Sequence, residues 1–288
     1  MTNGQAVQIN QSDLNVVVVG VVRNVAKNLA IEVNKLASAL QHFNKVQWLV
    51  IESDSNDNTE SVLKQLSAAK QNFYYQCLGK LDQSIPERTE RIAFCRDAYL
   101  EELENNPRFQ DSQLVIIADL DGINNIIDQS AIDSCFKRDD WDACFANTKG
   151  AYYDIWALRH PNWCPKDCLQ EFKFLKQQGW GEYAARFEAI YAKMISIDPN
   201  SNWLEVDSAF AGLGIYKKHA IKGLRYQAWE NNTAICEHIL FHKGMRQRGS
   251  KLFINPKLLN CKNPPHTRKL RFPDSWLLKL KLLFSSQL

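Results

Sequence analysis

The sequence lacks several features that would point to a secreted, membrane-spanning or nucleic-acid-binding protein. Residues Met1–Asp13 are polar and have no basic start followed by an apolar core, so we expect no signal peptide. No run approaches the roughly 20 apolar residues of a membrane span. The net charge is only +3, which is too small for a dedicated nucleic-acid binder. These absences predict a soluble, cytoplasmic chain.

Paired metal-binding cysteines are also missing. The eight cysteines are scattered, several lie inside apolar runs, and the sequence contains no Cys-x-x-Cys pair. We therefore expect buried or inert thiols in a reducing compartment. The chain has 288 residues, of which 45% are hydrophobic and 23% charged, and it shows no repeat or low-complexity tract. This composition predicts one globular domain with a sizeable core.

Strand and helix patterns alternate through the first half of the chain. β-Branched and apolar runs predict strands at Asn15–Val22, Val46–Ile51, Phe73–Cys77 and Leu114–Ala118. Helical spacing predicts helices at 25–40, with Asn24 as N-cap, and at 62–69 and 86–103. This alternation predicts an α/β fold with a mainly parallel sheet flanked by helices. Ligands of such sheets bind beyond the carboxyl ends of the strands. Polar segments fall there at 23–24, 52–59 and 119–121.

The second half is less regular. Strand patterns occur at 142–147 and 152–158, within 207–217, and at 251–255, where Pro256 should stop the last strand. Helical patterns occur at 182–195 and 233–248. Residues 160–181 are rich in Trp, Pro, Cys and Lys, and we interpret them as an insertion.

Asp119 and Asp121 stand two residues apart at the end of an apolar strand. In extended backbone such residues point to the same side, so their carboxylates can hold one hard divalent cation such as Mg²⁺ or Mn²⁺. A solvated turn with two acids is the alternative interpretation of this pair.

Two short motifs resemble a known family. The string Ile51–Thr59 (IESDSNDNT) resembles the "VDDGSTDNT" segment after the second strand of glycosyltransferases with the GT-A fold. Asp119-Leu120-Asp121 is similar to their Asp-x-Asp metal motif. Cys236-Glu237-His238, followed by Asn255-Pro256, resembles the "CEH…INP" pattern of the fungal capsule-associated (CAP59-like) mannosyltransferases.

The resemblance implies a GT-A, Rossmann-like domain that transfers a sugar from a nucleotide-sugar donor with the help of Mn²⁺ or Mg²⁺. The donor would be GDP- or UDP-linked, with mannose on GDP favoured. The acceptor would be a glycan or lipid-linked glycan of a surface polysaccharide, a capsule or a lipopolysaccharide.

The resemblance also assigns roles to individual residues. The nucleotide and diphosphate would contact Arg23, Asn24, Glu52, Asp54, Arg88, Arg91, Arg96, Asp119 and Leu120. The metal would be held by Asp119, Asp121 and His266, and the carboxylates near the reacting carbon would be Glu237 and Asp207.

We predict three segments: a disordered tail over 1–14, the catalytic domain over 15–262 and a basic, apolar tail over 263–288. The domain comprises a nucleotide-binding half (15–125) and an acceptor-side half (126–262). The last segment would either attach to the inner face of an anionic membrane or pack on the domain or a second subunit. Two other functions stay open, a haloacid-dehalogenase-type phosphatase and a non-catalytic nucleotide- or sugar-binding module.

Overall fold

An eight-stranded mixed sheet forms the centre of the molecule in the computed structural model, which describes residues 10–270, 276–277 and 282. The strands are β1 (Asn15–Val22), β2 (Lys45–Glu52), β3 (Phe73–Cys77), β4 (Leu114–Ala118), β5 (Ala143–Lys149), β6 (Leu204–Glu205), β7 (Leu213–Lys217), β8 (Trp229–Glu230), β9 (Thr233–Ala234) and β10 (Leu252–Lys262). The helices are α1 (Leu29–Ala39), α2 (Thr59–Ala69), α3 (Arg88–Asn105), α4 (Gln129–Asp133), α5 (Cys168–Gln177), α6 (Glu182–Ala189), α7 (Lys218–Ile221) and α8 (Glu237–Gln247).

The order across the sheet is β3-β2-β1-β4-β7-β5-β10-β6, and β8 pairs with β9 in a separate ribbon. Strands β3, β2, β1 and β4 are mutually parallel, as are β5 and β10. Strand β7 runs antiparallel between β4 and β5, and β6 runs antiparallel at the edge. The predicted class, a mainly parallel sheet flanked by helices, is confirmed.

The buried centre is built from the apolar runs that predicted it. Val16–Val19 in β1 are fully buried, and so are Val115–Ile117 in β4. On α1 the apolar residues Leu29, Val33 and Leu36 are also fully buried, because their spacing puts them on one face of the helix. The first half therefore folds as short strands that alternate with helices, and these helices pack on neighbouring strands of the sheet.

The predicted start of the first helix is wrong. Asn24 does not cap it, because Asn24 has a left-handed backbone (φ 54°) and α1 begins at Leu29. The intervening backbone bonds to the loop after β2: Val25 N–H donates to Thr59 Oγ1 (2.8 Å) and Ala26 N–H to Asp57 Oδ2 (3.2 Å). Asn24 therefore joins two loops at the sheet edge instead of starting a helix.

The second half departs further from its predicted pattern. Residues 152–158 form irregular backbone with a turn at 155–157, not a strand, and the helix predicted from Thr233 begins at Glu237. Strand β10 does not stop at Pro256 but continues to Lys262. Its register against β5 shifts between Ile254 and Leu259, so the missing N–H of Pro256 falls in an irregular stretch where the proline carbonyl accepts from Asn147 Nδ2 (2.9 Å).

Parts of both predicted tails are described. Gln11–Asp13 form one 3-10 turn, and Pro265–Leu270 form another. Residues 1–9 and most of 271–288 lie outside the described residues, so the predictions of disorder and of membrane attachment there stay predictions. In the described part of the chain, no helix is both long enough and apolar enough to cross a membrane.

Candidate active site

A cleft of about 710 Å³ opens at the carboxyl ends of β1, β2 and β4. It brings together most of the residues predicted for the site. Those on its wall are Arg23, Asp54, Arg88, Arg91, Arg96, Asp119, Leu120, Asp121, Glu237 and His266. Asn24, Glu52 and Asp207 are not on the wall. The cleft is large enough for a ligand of nucleotide-sugar size.

The loop that carries Asp119 and Asp121 is fixed by buried polar groups that the sequence did not single out. Glu32 on α1, which is 3% exposed, accepts from the backbone N–H groups of Gly122 and Asn124 (2.7 Å for Asn124). The fully buried Asn124 side chain donates to Glu32 Oε1 (2.8 Å) and to the Asp119 carbonyl oxygen (2.7 Å). These bonds orient the strand end before any ligand arrives. No motif signals Glu32, because its partners lie about 90 residues away.

Arg96 on α3 links two acids of the cleft, Asp119 and Glu237. Its guanidinium is buried, donates from Nε to Glu237 Oε1 (3.1 Å) and lies 3.4 Å from Asp119 Oδ1 through Nη2. The sequence predicted Arg96 as a diphosphate ligand. The structure engages it with two carboxylates and with the Tyr99 hydroxyl (3.3 Å), so the guanidinium holds these acids in place, and its contact with a diphosphate stays a prediction.

Negative charge is concentrated beside this arginine. Burial in the cleft raises the pKa of Asp119 to about 7; Arg96 opposes this shift, and Asp121, Asp154 and Glu237 add to it. Asp154 is a cleft residue that sequence reasoning missed. Its carboxylate accepts from Ala211 N–H (2.9 Å), and burial raises its pKa. It lies inside the strand predicted at 152–158, which the structure shows as irregular backbone followed by a turn, so nothing in the local pattern marked it.

The loops after β1 and β2 form the other wall. Arg23 is exposed and donates from Nε to the Asp54 carbonyl oxygen (3.2 Å). Asp54 is buried with a left-handed backbone (φ 60°), and its Oδ1 accepts from Leu81 and Asp82 N–H (2.8 and 3.0 Å). The pKa of Asp54 is lowered: burial acts to raise it, but these N–H donors, with Arg91, outweigh the effect of burial. Asp54 therefore anchors the loop and cannot donate a proton at neutral pH.

The other two arginines of α3 differ: the side chain of Arg91 is engaged by neighbouring groups of the protein, whereas that of Arg88 is exposed and can contact a ligand. Arg91 Nη1 donates to the carbonyl oxygens of Ile85 and Pro86 (2.7 Å each), and its Nε lies 3.7 Å from Asp54 Oδ2. Arg88 is exposed at the cleft and has no ion pair within the described residues. Of the arginines predicted to contact the diphosphate, Arg23 and Arg88 are the exposed ones, and the contacts of all four stay predictions.

Three predicted residues lie elsewhere. Asn24 accepts from Asn56 N–H (2.8 Å) through its side-chain oxygen and tightens the loops. Glu52 is buried behind the loop, where its Oε1 accepts from Ser55 N–H (2.9 Å). Asp207 has a side chain that is 59% exposed and 3.6 Å from Arg246 Nε. Its neighbour Ser208 turns inward, so Asp207 points away from the cleft and is not kept as a catalytic candidate.

Glu237 is the first residue of α8, is 6% exposed and lines the cleft. The next residue, His238, is 2% exposed and stacks on Phe210 with ring centroids 4.0 Å apart. Burial and then Arg96 lower the pKa of His238 well below its usual range, so the imidazole is neutral. Its Nε2 lies 3.7 Å from Glu237 Oε1. The helix start, the arginine and the ring together fix the position of the Glu237 carboxylate.

His266 lines the cleft from the 3-10 turn after β10 and stacks on Tyr153 with ring centroids 5.2 Å apart. Asp119, Asp121 and His266 share the cleft, but they do not form a set with ligand atoms within 4.8 Å of one another. The two aspartates follow the same strand end, and the role of His266 as a third ligand stays a prediction.

Comparison with known proteins establishes the fold. No protein-family profile and no curated protein sequence matches this chain. A mannosyltransferase from Pyrobaculum calidifontis in complex with GDP-Man and Mn²⁺ is similar in structure, with TM-score 0.51 and 12% identity over 98% of this chain and 65% of that chain. S. aureus TarS 1-349 in complex with UDP-GlcNAc has TM-score 0.51 and 12% identity over 94% of this chain and 67% of its own.

The chain therefore has the GT-A, Rossmann-like fold of these nucleotide-sugar glycosyltransferases, as the motifs predicted. It spans about 65% of the length of the Pyrobaculum enzyme. The resemblance to the capsule-associated mannosyltransferases stays a prediction.

Proposed function

We propose that this chain is a metal-dependent glycosyltransferase that moves a sugar from a nucleoside-diphosphate sugar to an acceptor hydroxyl. One observation carries the proposal: a single cleft at the strand ends holds Asp119, Asp121 and Glu237 together with the cationic side chains Arg23 and Arg88. Acids for a cation, cations for a diphosphate and a further carboxylate are the groups that such a transfer needs.

The acids of the cleft fit a hard divalent cation. Asp121, Asp154 and Glu237 are close enough to Asp119 to raise the pKa of its carboxyl group. Arg96 offsets only part of that negative charge. Asp119 and Asp121 would hold Mn²⁺ or Mg²⁺ through carboxylate oxygens. The chemistry supplied there is Lewis-acid neutralisation of the charge on the leaving diphosphate.

The chain's own residues would do the remaining work. Arg23 and Arg88 would donate charge-assisted hydrogen bonds to the diphosphate oxygens, because their guanidinium groups are exposed to the cleft. Glu237 would lie nearest the reacting carbon, with its carboxylate orientation held by Arg96. It would act as the general base of an inverting reaction or stabilise the positive charge of a retaining one. The anomeric configuration of the product distinguishes these two roles.

GDP-mannose is the first donor to test, because the similar Pyrobaculum structure is described as binding GDP-Man with Mn²⁺. A UDP-linked sugar is the second, from the TarS structure with UDP-GlcNAc. The proposed acceptor is a glycan or lipid-linked glycan, as in surface polysaccharide synthesis.

The test is release of nucleoside diphosphate by the full chain, with GDP- and UDP-sugars, in Mn²⁺ and after chelation. We expect turnover of one donor only with the metal present. Asp119→Ala and Asp121→Ala should each lower turnover on the order of 100-fold or more, as loss of a preorganised electrostatic group does. The exposed Asp139, outside the cleft, provides the matched control Asp139→Ala.

The same assay separates the alternatives. Metal-dependent turnover that survives both aspartate substitutions would refute the proposed site. Nucleotide binding, seen as a thermal shift, with no turnover of any donor would favour a binding module. Hydrolysis of a simple phosphate ester would favour the phosphatase, although Ile123 stands where that family's motif has threonine and the motif follows β4 instead of the first strand.

A further inference from the structure

A second group of ligand-type side chains lies outside the cleft, at the carboxyl ends of β2 and β3. One carboxylate oxygen of Glu52, one of Glu60 and the Sγ atom of Cys77 lie within 4.8 Å of one another. Across residues 10–270, 276–277 and 282, no other three His, Cys, Asp or Glu side chains form such a set. The proposed sugar transfer uses none of the three.

Backbone pairing brings these residues together. Glu52 and Cys77 are register partners in the parallel pair of β2 and β3, and Leu78 N–H donates to the Glu52 carbonyl oxygen (2.8 Å). Glu60 lies in the first turn of α2, the helix that follows β2. Because the sheet fixes two of the side chains and a helix start supplies the third, the group is held by the fold and does not depend on a mobile loop.

Within the part of the chain that the structure describes, one oxygen of the buried Glu52 carboxylate lacks a strong hydrogen-bond donor. Glu52 is 1% exposed, and its Oε1 accepts from Ser55 N–H (2.9 Å). Its other oxygen, Oε2, is buried and accepts no hydrogen bond from nitrogen or oxygen among the described residues, and the Cys77 thiol is a weak donor to the same carboxylate. A buried carboxylate oxygen without a strong partner is unfavourable, and a cation bound by it would remove that cost.

The ligand types select the metal. A thiolate with two carboxylates suits a borderline-soft divalent ion, and Zn²⁺ is commonly held by sulfur and oxygen ligands with water in a remaining position. Cys77 is exposed, so an ion can enter from solvent. We propose that Glu52, Glu60 and Cys77 form a zinc-binding site on the side of the β2 loop away from the cleft.

The site is connected to the cleft by hydrogen bonds. Glu52 Oε1 holds Ser55 N–H, and the Ser55 hydroxyl accepts from Asn24 N–H (3.0 Å), which ties the loops after β1 and β2 together. An ion that fixes the Glu52 carboxylate therefore also fixes this pair of loops. Binding to the folded state alone raises the unfolding temperature by mass action.

The experiment uses the full chain carrying Asp119→Asn and Asp121→Asn, so that the proposed cleft metal does not contribute. Titration with Co²⁺ should produce a thiolate-to-cobalt charge-transfer band that saturates at one equivalent and disappears on adding Zn²⁺. Cys77→Ser should abolish the band, and both Cys77→Ser and Glu60→Gln should weaken Zn²⁺ binding. We expect the weakening to exceed the roughly 10- to 100-fold cost of losing an outer-sphere partner. Glu101→Gln, at an exposed glutamate of α3, is the matched control.

A second readout follows the thiol itself. Cys77 is exposed and the other seven cysteines are buried, so iodoacetamide should modify Cys77 first. Zn²⁺ should slow that modification, as measured by mass spectrometry of the peptide containing residue 77. Absence of the Co²⁺ band, a band that persists in Cys77→Ser, or equal alkylation of Cys77 with and without Zn²⁺ would each overturn the proposal.

Discussion

The two halves of the chain build their parts of the cleft in different ways. Before Asn125, the loops that carry Arg23, Asp54 and the pair Asp119 and Asp121 each follow a buried strand, and the parallel pairing of β1, β2 and β4 brings these loops to one edge. Helix α3 adds the arginines of the cleft. After Asn125, Asp154 lies in an irregular segment, Glu237 at a helix start and His266 in a 3-10 turn beyond the last strand. The positions of the residues in the first wall thus follow from the order of strands along the sequence. The positions of those in the second wall depend on contacts between residues that are distant in sequence.

Helix α3 joins the halves through two ion pairs of very different exposure. Arg96 meets Glu237 with side chains 4% and 8% exposed, whereas Glu104 meets Arg225 with side chains 25% and 37% exposed (Arg225 Nη2 to Glu104 Oε2, 2.7 Å). A buried pair is costly to break because the remaining charge stays desolvated, whereas a pair near the surface is screened by solvent. Breaking each pair therefore measures how much the contact between the two halves contributes to the free energy of unfolding.

The largest effect is expected for Arg96→Met. Removing the guanidinium leaves Glu237 buried without its partner, so we expect the free energy of unfolding to fall by about 3–5 kcal/mol. Urea unfolding measures it. The exposed Arg88 provides the control Arg88→Met, which should stay within about 0.5 kcal/mol of the parent protein. A loss below about 1 kcal/mol for Arg96→Met would mean that the two walls are not joined through this residue.

An intermediate effect is expected for Gly20→Ala. A Cβ atom at residue 20 would lie 2.6 Å from the Ala118 carbonyl oxygen, directly before Asp119. Because that atom belongs to the backbone of β4, we expect a loss of about 1–3 kcal/mol from overpacking and weaker Mn²⁺ binding. Calorimetric unfolding and Mn²⁺ titration measure the two effects.

Gly244→Ala in α8 is the comparison for Gly20→Ala. There the new Cβ would lie 2.8 Å from Leu224 Cδ2, the end of a flexible side chain. Alanine is about 1 kcal/mol more favourable than glycine inside a helix, so this change should be close to neutral or stabilising. Equal losses at both positions would show that the strand end is no more rigid than the second half.

The smallest effect is expected for Glu104→Gln. Hydrogen bonds from Arg225 lower the pKa of Glu104, so its contribution to stability is present above pH 4.5 and is lost as pH falls through the lowered folded-state pKa. With Arg225 partly exposed, we expect about 1 kcal/mol or less at pH 7, decreasing with added salt. Urea unfolding across this pH range checks it. Parent and variant curves that stay parallel below pH 4.5 would contradict the assignment.

Particular residues show where sequence reasoning succeeded. The boundaries of β1, β3 and β4 fall at the predicted residues; for β1 and β4 the reason is that buried strands are continuous apolar runs. Asp119, Asp121 and the cleft arginine Arg23 lie where strand ends were expected to meet. It did not reach contacts between distant residues: the ion pair of Arg96 with Glu237, which is 141 residues away, has no signal in the sequence, and the predicted contact of Arg96 with a diphosphate stays a prediction.

The sequence by itself determined the order of strands and helices in the first half and the edge at which its polar residues meet. The reason is that apolar runs and the spacing of apolar residues are local properties of a sequence. The tertiary structure alone decided which of those residues face the cleft. Glu52 turned behind its loop toward Cys77, Asp207 turned outward, and Asp154 and Glu32 joined the site without any motif. The physical reason is that the direction and charge of a side chain depend on neighbours that only chain folding brings together.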